Sequence, residues 1–587
     1  MHRLWTLLPP NGRPWAHRAI LAAASLFPGR MNLMARIFFG RLLAETTTMA
    51  DTYPAWISFY EHTGPRARRA AKAYLDKLDD LPLLSVLLPV HEPSPDYLLA
   101  AIESVRVQFY PRWELCIADY SSANPRIATL LDKAGSREPR IKLIRRAVAG
   151  ETVSAANAAF SLAGGLFCAS MDDDARLSPR ALYDIAQAIR ANPAVDILYS
   201  DEDRIDESGR RIAPYFKPDW NPELMFGQNL IGHLAAYRRD LVRQAGGFGD
   251  DPQAFQAYDL ALRLVAATTG DRIVHIPNVL YHGRRVNADR CVPSLGECGR
   301  YPIPRPEPLV SVVIPTRDHA AMLKRTMDGL LGRTDYPALD VLIVDNGSSE
   351  PNALVLLENL ALDGRVTVLR RPGPFNYSAL NNDAIRHAKG ELVLLLNNDI
   401  DVIDAGWLRE MVAQAIRPGI GAVGAKLLFP DGTIQHGGIT VGMFGTADHQ
   451  YLNAPREDPG YFGHLRRPRN ITAVTAACLL VRRQAYWEVD GLNEADLPVE
   501  FNDVDFCLKL AEKGYRNLWT SHAELYHLEA GSRGYAHSAD KAARLRRGAA
   551  YMRERWGHML DHDPNWNRNL SLYSNGVALA FPPRPGR

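Results

Sequence analysis

Ser311-Val312-Val313-Ile314-Pro315-Thr316 repeats, 226 residues on, the run Ser85-Val86-Leu87-Leu88-Pro89-Val90. Each run is short, apolar and rich in branched side chains, and ends at a proline, the pattern of a strand buried on both faces. The recurrence continues outward from it. Asp119 and Asp345 are also 226 apart, and Asn157/Asn382 and Asp174/Asp399 are 225 apart. Late in each copy Tyr258-Asp259-Leu260 answers to Val504-Asp505-Phe506, and Tyr281-His282 to Tyr526-His527, at shifts of 246 and 245. A near-constant offset widened once, by about 20 residues, marks a duplicated domain with a late insertion in its second copy. The period is too long for a solenoid and fits two globular domains of ordinary size.

Between the repeated strands the pattern alternates. Leu98, Leu99, Ile102 and Val105 fall at helical spacing within 96–108; strands follow at 114–118 and 141–144, a helix at 154–163 and a strand at 166–171. The second copy predicts strands at 310–314, 340–344, 366–369 and 391–396, with helices at 320–331 and 378–388. Such alternation predicts an α/β architecture built on a mostly parallel sheet. Four segments are expected: a helical N-terminal extension over 1–80, domains over 81–300 and 301–540, and a C-terminal tail over 541–587 opening with an Arg-rich helical stretch. Pro302, Pro304 and Pro306 make the link between the domains stiff and extended.

Composition narrows the function classes. The 587 residues are 47% hydrophobic and 23% charged, as in ordinary globular proteins, and a net charge of +2 gives no support for nucleic acid as the main partner. Six cysteines form no C-x-x-C pair and read as buried thiols of a reducing compartment. No apolar run reaches the roughly 18 residues of a membrane span. The basic, apolar stretch 18–43 has two readings: a segment lying on an anionic membrane surface, or a helix packed on the first domain. The expected location is the cytoplasm, at the inner face of the membrane under the first of these readings.

Ligands of open α/β sheets bind beyond the carboxyl ends of the strands. In the second copy those ends carry Asp345-Asn346-Gly347-Ser348 and Asn397-Asn398-Asp399-Ile400-Asp401; Asn502-Asp503-Val504-Asp505 opens a later helix, and Tyr526-His527 follows. Carboxylates and a histidine at converging strand ends suit a hard divalent cation that also holds phosphate oxygens. No P-loop and no G-x-G-x-x-G follows the first strand. The run 311–318 has neither the glycine nor the lysine with which a nucleotidyltransferase would grip a triphosphate. A single Asp before a helix is by default an N-cap, and a single His a packed or turn residue; order and duplication raise this set above those defaults. His436, in Gln435-His436-Gly437-Gly438, reads as a turn residue or as an acceptor contact.

The ordered set S-V-V-I-P-T, V-D-N-G-S, F-N-Y-S-A-L-N-N, L-L-N-N-D, N-D-V-D-F and Y-H-L-E-A-G-S-R-G resembles family 2 glycosyltransferases, closest to the rhamnosyltransferase-like branch of bacterial surface-polysaccharide (O-antigen-type) synthesis. The resemblance spans roughly 83–285 and 309–535. It implies two tandem GT-A domains, a Rossmann-like nucleotide-diphospho-sugar transferase fold. It further implies an inverting transfer from a nucleotide-sugar, dTDP-L-rhamnose or a UDP-sugar, to a glycan or lipid-linked acceptor, with Mg²⁺ or Mn²⁺. Carried over residue by residue, Pro315, Thr316, Arg317 and Asp345 line the nucleotide pocket, with Asn382 and Asn397 beside it. Asp399 and His527 hold the metal, with Asp401 the alternative ligand. Asp503 is the catalytic base, Asp505 is structural, and Arg533 reaches the diphosphate.

The first copy keeps Asp119 and Asn157 for a nucleotide and Asp172, Asp174 and His282 for a metal, but Ala257 stands where Asp503 stands. Alanine accepts no proton. Unless Asp259 or Glu202 substitutes, this copy is expected to be degenerate and to bind nucleotide, glycan or the second domain. A bifunctional enzyme with both domains active, and a non-catalytic nucleotide-sugar-binding scaffold, are the alternatives.

Overall fold

A computed structural model describes residues 48–91, 93–120, 124–145, 154–249, 256–284, 301–528 and 539–585. Two helices, α1 (Met49–Tyr60) and α2 (Pro65–Leu75), precede the first repeat, as expected of the extension. The first repeat runs β1 (Leu84–Val90), α3 (Pro95–Arg106), β2 (Trp113–Asp119), α4 (Pro125–Arg137), β3 (Ile141–Arg145), α5 (Ala155–Ser161), β4 (Phe167–Ser170), β5 (Arg176–Leu177) and α6 (Ala181–Ala191). It continues with β6 (Ile197–Ile205), β7 (Arg211–Tyr215), α7 (Pro222–Gly227), β8 (Ala235–Arg238), α8 (Arg239–Gln244), α9 (Gln256–Ala266) and β9 (Ile273–Gly283).

The second repeat has β10 (Val310–Thr316), α10 (Ala320–Asp328), β11 (Leu339–Asp345), α11 (Pro351–Leu360), β12 (Val366–Arg370), α12 (Tyr377–His387), β13 (Leu392–Leu396), β14 (Ile400–Val402) and α13 (Trp407–Ala415). Then come β15 (Ile420–Leu428), β16 (Ile434–His436), β17 (Ile439–Val441), β18 (Ala447–His449), β19 (Arg469–Asn470), β20 (Cys478–Arg482), α14 (Arg483–Glu488), α15 (Asn502–Glu512) and β21 (Arg516–His527). The 23-residue helix α16 (Ala539–Asp561) leads into the tail.

The duplication holds along the main strand path of both sheets, and the second sheet adds β19 beside β21. One sheet is ordered β3-β2-β1-β4-β8-β6-β9-β5 and the other β12-β11-β10-β13-β20-β15-β21-β14. The expectation of a mostly parallel sheet is corrected to a mixed one. β3, β2, β1 and β4 are parallel, but β8 runs antiparallel to both β4 and β6, and β5 antiparallel to β9. The second sheet repeats this through β20 and β14. β8 is four residues long, Ala235-Ala236-Tyr237-Arg238, and β5 is two; neither carries a length or period that announces its direction.

Local chemistry explains why the repeated serine recurs. Ser311 Oγ donates to Asp340 Oδ2 at 2.7 Å and accepts the Gly390 N–H at 2.8 Å; Ser85 binds Glu114 and Gly165 in the same way. A Cβ on Gly390 would lie 2.6 Å from the Leu309 carbonyl, so only glycine lets the chain enter β13 beside β10.

The two repeats pack directly on each other. The extra residues of the second copy fall between β15 and β20, and that segment makes much of the interface. Tyr461 donates to the Pro214 carbonyl (2.6 Å) and accepts the Phe216 N–H (3.0 Å); Phe462 stacks on Tyr215; Asn470 exchanges hydrogen bonds with Asn221. Arg417 grips Glu223 through two 2.8 Å contacts, both side chains largely buried. The tail ties the domains together: the Asn567 amide donates to both Asp201 oxygens at 3.0 Å, and Asn569 donates to the Pro277 carbonyl. Tyr53 and Trp56 of α1, Phe216 of the first repeat, Met443 of the second, and Trp566 and Leu570 of the tail share one apolar cluster.

A pH dependence follows from this interface. His275 is buried, with Nε2 2.8 Å from Asp201 and Nδ1 3.2 Å from Asp219. Burial disfavours its charge, but the two carboxylates outweigh that and push its pKa up to about 9. A histidine raised above its unfolded value of about 6.5 stabilises fully below that value and loses the contribution as pH rises through about 9. The thermal midpoint should therefore fall between pH 6.5 and 9, and His275→Gln should flatten that fall. A wild-type midpoint constant over the window would contradict the pairing.

Candidate active site

The carboxyl ends of β10, β11 and β13 and the start of α15 form one site in the second domain. β10 ends in Pro315 and Thr316; the Thr316 carbonyl accepts the Asn346 N–H at 2.9 Å, and its hydroxyl accepts from the Asn398 amide at 3.0 Å. Arg317, half exposed, leads into Asp318, whose Oδ1 accepts the backbone N–H groups of Ser349 and Glu350. The loops after β10 and β11 are thus fastened into one rim. Asp345 ends β11 fully buried. Its Oδ1 accepts the Ser348 N–H at 2.8 Å, while Oδ2 has no hydrogen-bond donor among the described residues and faces Arg370 at 3.4 Å.

β13 runs into Asn397, Asn398 and Asp399. His527, the last residue of β21, pairs with Ile400, which brings its ring over the preceding turn. His527 Nε2 lies 3.2 Å from Asp399 Oδ1 and 3.2 Å from the Asn397 amide. Asp399 Oδ1 and His527 Nδ1 are buried without hydrogen-bond partners among the described residues. Among those residues no set of three His, Cys, Asp or Glu converges, so the protein offers a carboxylate and an imidazole. That fits a Mg²⁺- or Mn²⁺-type ion, which takes one or two carboxylates and completes its shell with substrate phosphates and water. Asp401, the alternative ligand, is engaged elsewhere. Arg325 (2.6 Å) and Arg333 hold it, and although burial opposes its charge they keep its pKa lowered.

Asp503 is the second residue of α15. It is half-buried, and its Oδ2 accepts the Ala476 N–H at 3.1 Å. The neighbouring Ala477 carbonyl accepts the Asn397 N–H at 3.0 Å, so one segment joins the candidate base to the candidate metal turn. His436 is no exposed turn residue: it is fully buried on β16, with Nδ1 2.9 Å from His449 Nδ1 and Nε2 3.5 Å from the Thr475 N–H. Burial, His449 and Arg469 hold its pKa well below the usual imidazole value. Asp505 is structural, as expected: buried, with its Oδ1 accepting from Trp556 of α16 at 2.8 Å.

Asn382 requires a correction. Expected at the nucleotide, it instead uses its whole amide to fasten the turn after α14. Its nitrogen donates to the Leu492 carbonyl (2.8 Å) and to Glu494 (2.7 Å), and its oxygen accepts the Leu492 N–H (3.0 Å) and the Tyr486 hydroxyl. Gly491, at φ +60°, passes so close that a Cβ would sit 2.5 Å from the Asn382 oxygen. Asn157 does the same work in the first domain, exchanging bonds of 2.7 and 2.8 Å with Phe248. Both are positioning residues of the fold, which is why both copies keep them.

The equivalent site of the first domain is differently wired. Asp119 is buried beside Arg145, as Asp345 is beside Arg370. Asp172 accepts the Tyr281 hydroxyl at 2.6 Å, and His282 Nδ1 lies 2.6 Å from Asp203. Asp174 precedes β5, in which Arg176, and not the next residue after the turn as in the second copy, pairs with the histidine. Ala257 is the second residue of α9, as Asp503 is of α15. Neither expected substitute is free: Asp259 is paired with Arg263 on the surface, and Glu202 is held by Lys217 (3.0 Å) and His233 (3.2 Å). Burial opposes the charge of Glu202, but those two cations hold its pKa well below the carboxylate range. By sheet register His233 stands where Ala477 stands, a substitution only the pairing reveals. Arg533, and the stretch 18–43 with its membrane reading, lie outside the described residues. Among the described residues no helix is long and apolar enough to cross a membrane.

The profile of Glycosyl transferase family 2 matches residues 85–246 and 311–490. The chain is 42% identical to the uncharacterized protein y4gI of Sinorhizobium fredii over 86% of its own length and 59% of that protein's. It is 36% identical to the O-antigen biosynthesis protein RfbC of Myxococcus xanthus over 95% of its length and 46% of that protein's. It is 26% identical to the N-acetylglucosaminyl-diphospho-decaprenol L-rhamnosyltransferase of Mycobacterium tuberculosis over 44% of its length and 86% of that enzyme's. The chain thus spans about half the length of the first two relatives.

Proposed function

Because the chain belongs to glycosyl transferase family 2, we propose that its second domain moves a sugar from a nucleoside-diphosphate donor to a hydroxyl of a glycan or lipid-linked glycan, with inversion, in bacterial surface-polysaccharide synthesis. The observation that carries this reading is the meeting of Asp399, His527 and Asn397 at one turn, with Asp503 joined to it through residues 476–477. Similarity to an O-antigen biosynthesis protein supports the pathway, and similarity to an L-rhamnosyltransferase supports dTDP-L-rhamnose as the donor ahead of a UDP-sugar.

Asp345 accepts a hydrogen bond from the base imide, and Pro315, Thr316 and Arg317 wall the nucleotide. Asp399 and His527 would hold Mg²⁺ or Mn²⁺, which when bound neutralises the departing diphosphate. Asp503 takes the proton of the acceptor hydroxyl as that oxygen attacks the anomeric carbon. The Ala476 N–H fixes the rotamer of the carboxylate and so its aim. The first domain, with alanine at the base position and its histidine paired to Asp203, serves as a non-catalytic module that buttresses the inserted segment of the second.

The test is a panel of UDP-, GDP- and dTDP-sugars with a glycan acceptor and Mg²⁺ or Mn²⁺, followed by released nucleoside diphosphate. Release from one donor class, abolished by EDTA, is expected. Release that persists in EDTA would contradict the metal assignment, and no transfer from any donor would favour the scaffold reading.

A further inference from the structure

Away from both strand-end sites, a cavity of about 70 Å³ lies where α1, β9, the start of α6 and the C-terminal tail meet. It shares Glu61, His62, Thr63 and Arg180 with a groove of about 680 Å³ running along α2 past Arg66 and Phe109. The cavity is walled by hydrogen-bond donors that lack acceptors. Trp56 is 4% exposed, and its indole N–H is unpartnered among the described residues; so are the buried Tyr60 hydroxyl and Arg568 Nε. A buried donor without a partner costs about 1–3 kcal/mol, and three on one cavity point to a ligand that supplies oxygen acceptors.

Of the charges at the cavity, that of Arg568 has no ion pair among the described residues. Glu61 is consumed by a bidentate contact with Arg211, at 2.5 and 2.6 Å. Asp184 is bound by Arg180 and by Asn278, each at 3.0 Å. Asp201, the carboxylate whose field favours the Arg568 charge, already serves His275, Asn567 and Asn569; burial and Arg180 both work against that charge. Arg180 is neutralised by Asp184, so Arg568, which has no ion pair among the described residues, brings the one unpaired guanidinium to this space, beside the rings of Trp56 and Tyr60. Donors, positive charge and aromatic faces together match an oxyanion borne on a sugar ring.

We propose that this cavity binds the phosphate or carboxylate of an anionic saccharide, with the sugar extending into the adjoining groove. That the saccharide belongs to the acceptor glycan rests on the transferase reading; the binding itself does not, and it is measured without donor. The experiment is calorimetric titration of the full chain, in EDTA, with glucose 1-phosphate, glucuronate, glucose and inorganic phosphate, for wild type, Arg568→Gln and Trp56→Phe. Glucose 1-phosphate, glucuronate or both should bind wild type more tightly than glucose does. Arg568→Gln should weaken that binding by about ten- to a hundredfold, the loss of a hydrogen bond to a charged group, and Trp56→Phe by several-fold with the thermal midpoint kept. Preference for glucose 1-phosphate assigns a phosphate, and preference for glucuronate a carboxylate. Equal affinity in wild type and both variants, glucose binding as tightly as its charged analogues, inorganic phosphate binding as tightly as glucose 1-phosphate, or no binding by any probe would each overturn the proposal.

Discussion

Asp503→Asn should lower sugar transfer by about 10²–10⁴-fold, the usual worth of a positioned general base, while leaving donor affinity nearly unchanged. The argument is geometric. Asp503 sits half-buried at the start of α15, with Oδ2 on the Ala476 N–H and Oδ1 on the Val504 N–H. An asparagine is isosteric and its oxygen still accepts one of those two N–H groups, so the helix start loses one hydrogen bond, worth about 0.5–1.5 kcal/mol, together with the proton acceptor. The first copy has made a harsher version of this change: the same turn of α9 carries Ala257. The comparison that checks the prediction is kcat against KM for wild type and variant with the donor identified by the panel. A fall in kcat at constant KM is expected. Retention of more than about a tenth of the turnover, well inside the loss expected of a base, would move that role to another residue.

Lys217→Met should destabilise the first domain by up to about 3–5 kcal/mol, the range for breaking a buried ion pair by removing one partner. Lys217 has no exposed surface. Its ammonium binds Glu202 and the Ile231 carbonyl, both at 3.0 Å, and Gly232 packs so closely that a Cβ would lie 2.3 Å from it. A methionine fills the volume and leaves Glu202 with His233 as its remaining cation. For a domain of this size the loss corresponds to a fall in its thermal midpoint of roughly 6–20 °C. Lys217→Met with Glu202→Gln should recover most of it, because the buried carboxylate charge that Lys217 offsets is then gone and His233 can be neutral. A single variant within 1–2 °C of wild type, far short of that fall, would show that Glu202 is solvated by other means. Transfer by the second domain should survive at permissive temperature, since none of these groups belongs to its site.

Much of the catalytic half of this account was legible in the residues. Strands β1 and β10 announce themselves as apolar runs ending in proline, and the carboxylates at the strand ends follow at fixed spacing. The offset of 246 residues placed Ala257 opposite Asp503, and both prove to be second residues of equivalent helices. What was not legible depends on partners distant in sequence. Asn382 looked like a ligand-binding amide because its role is fixed by Leu492 and Glu494, more than a hundred residues on. The direction of β8 and β20 is set by pairing, and their short runs suit either sense. His233 at the position of Ala477 emerges only from sheet register. The tail carries Asn565, Asn567 and Asn569, and Asn567 reaches Asp201 across 366 residues, a contact no local pattern encodes. Even the insertion, found by counting, gained meaning only when Tyr461 and Phe462 were seen seated on the first domain.

The central claim is that one of two duplicated sites is equipped for transfer. Its most direct test is the number of Mn²⁺ ions bound per chain in the presence of the donor's nucleoside diphosphate, counted by electron paramagnetic resonance for wild type and Asp399→Asn. The account predicts a single tightly bound ion in wild type and its loss in the variant. Two ions per chain, or one that survives Asp399→Asn, would show that the first domain holds a working metal site and that the assignment of roles is wrong.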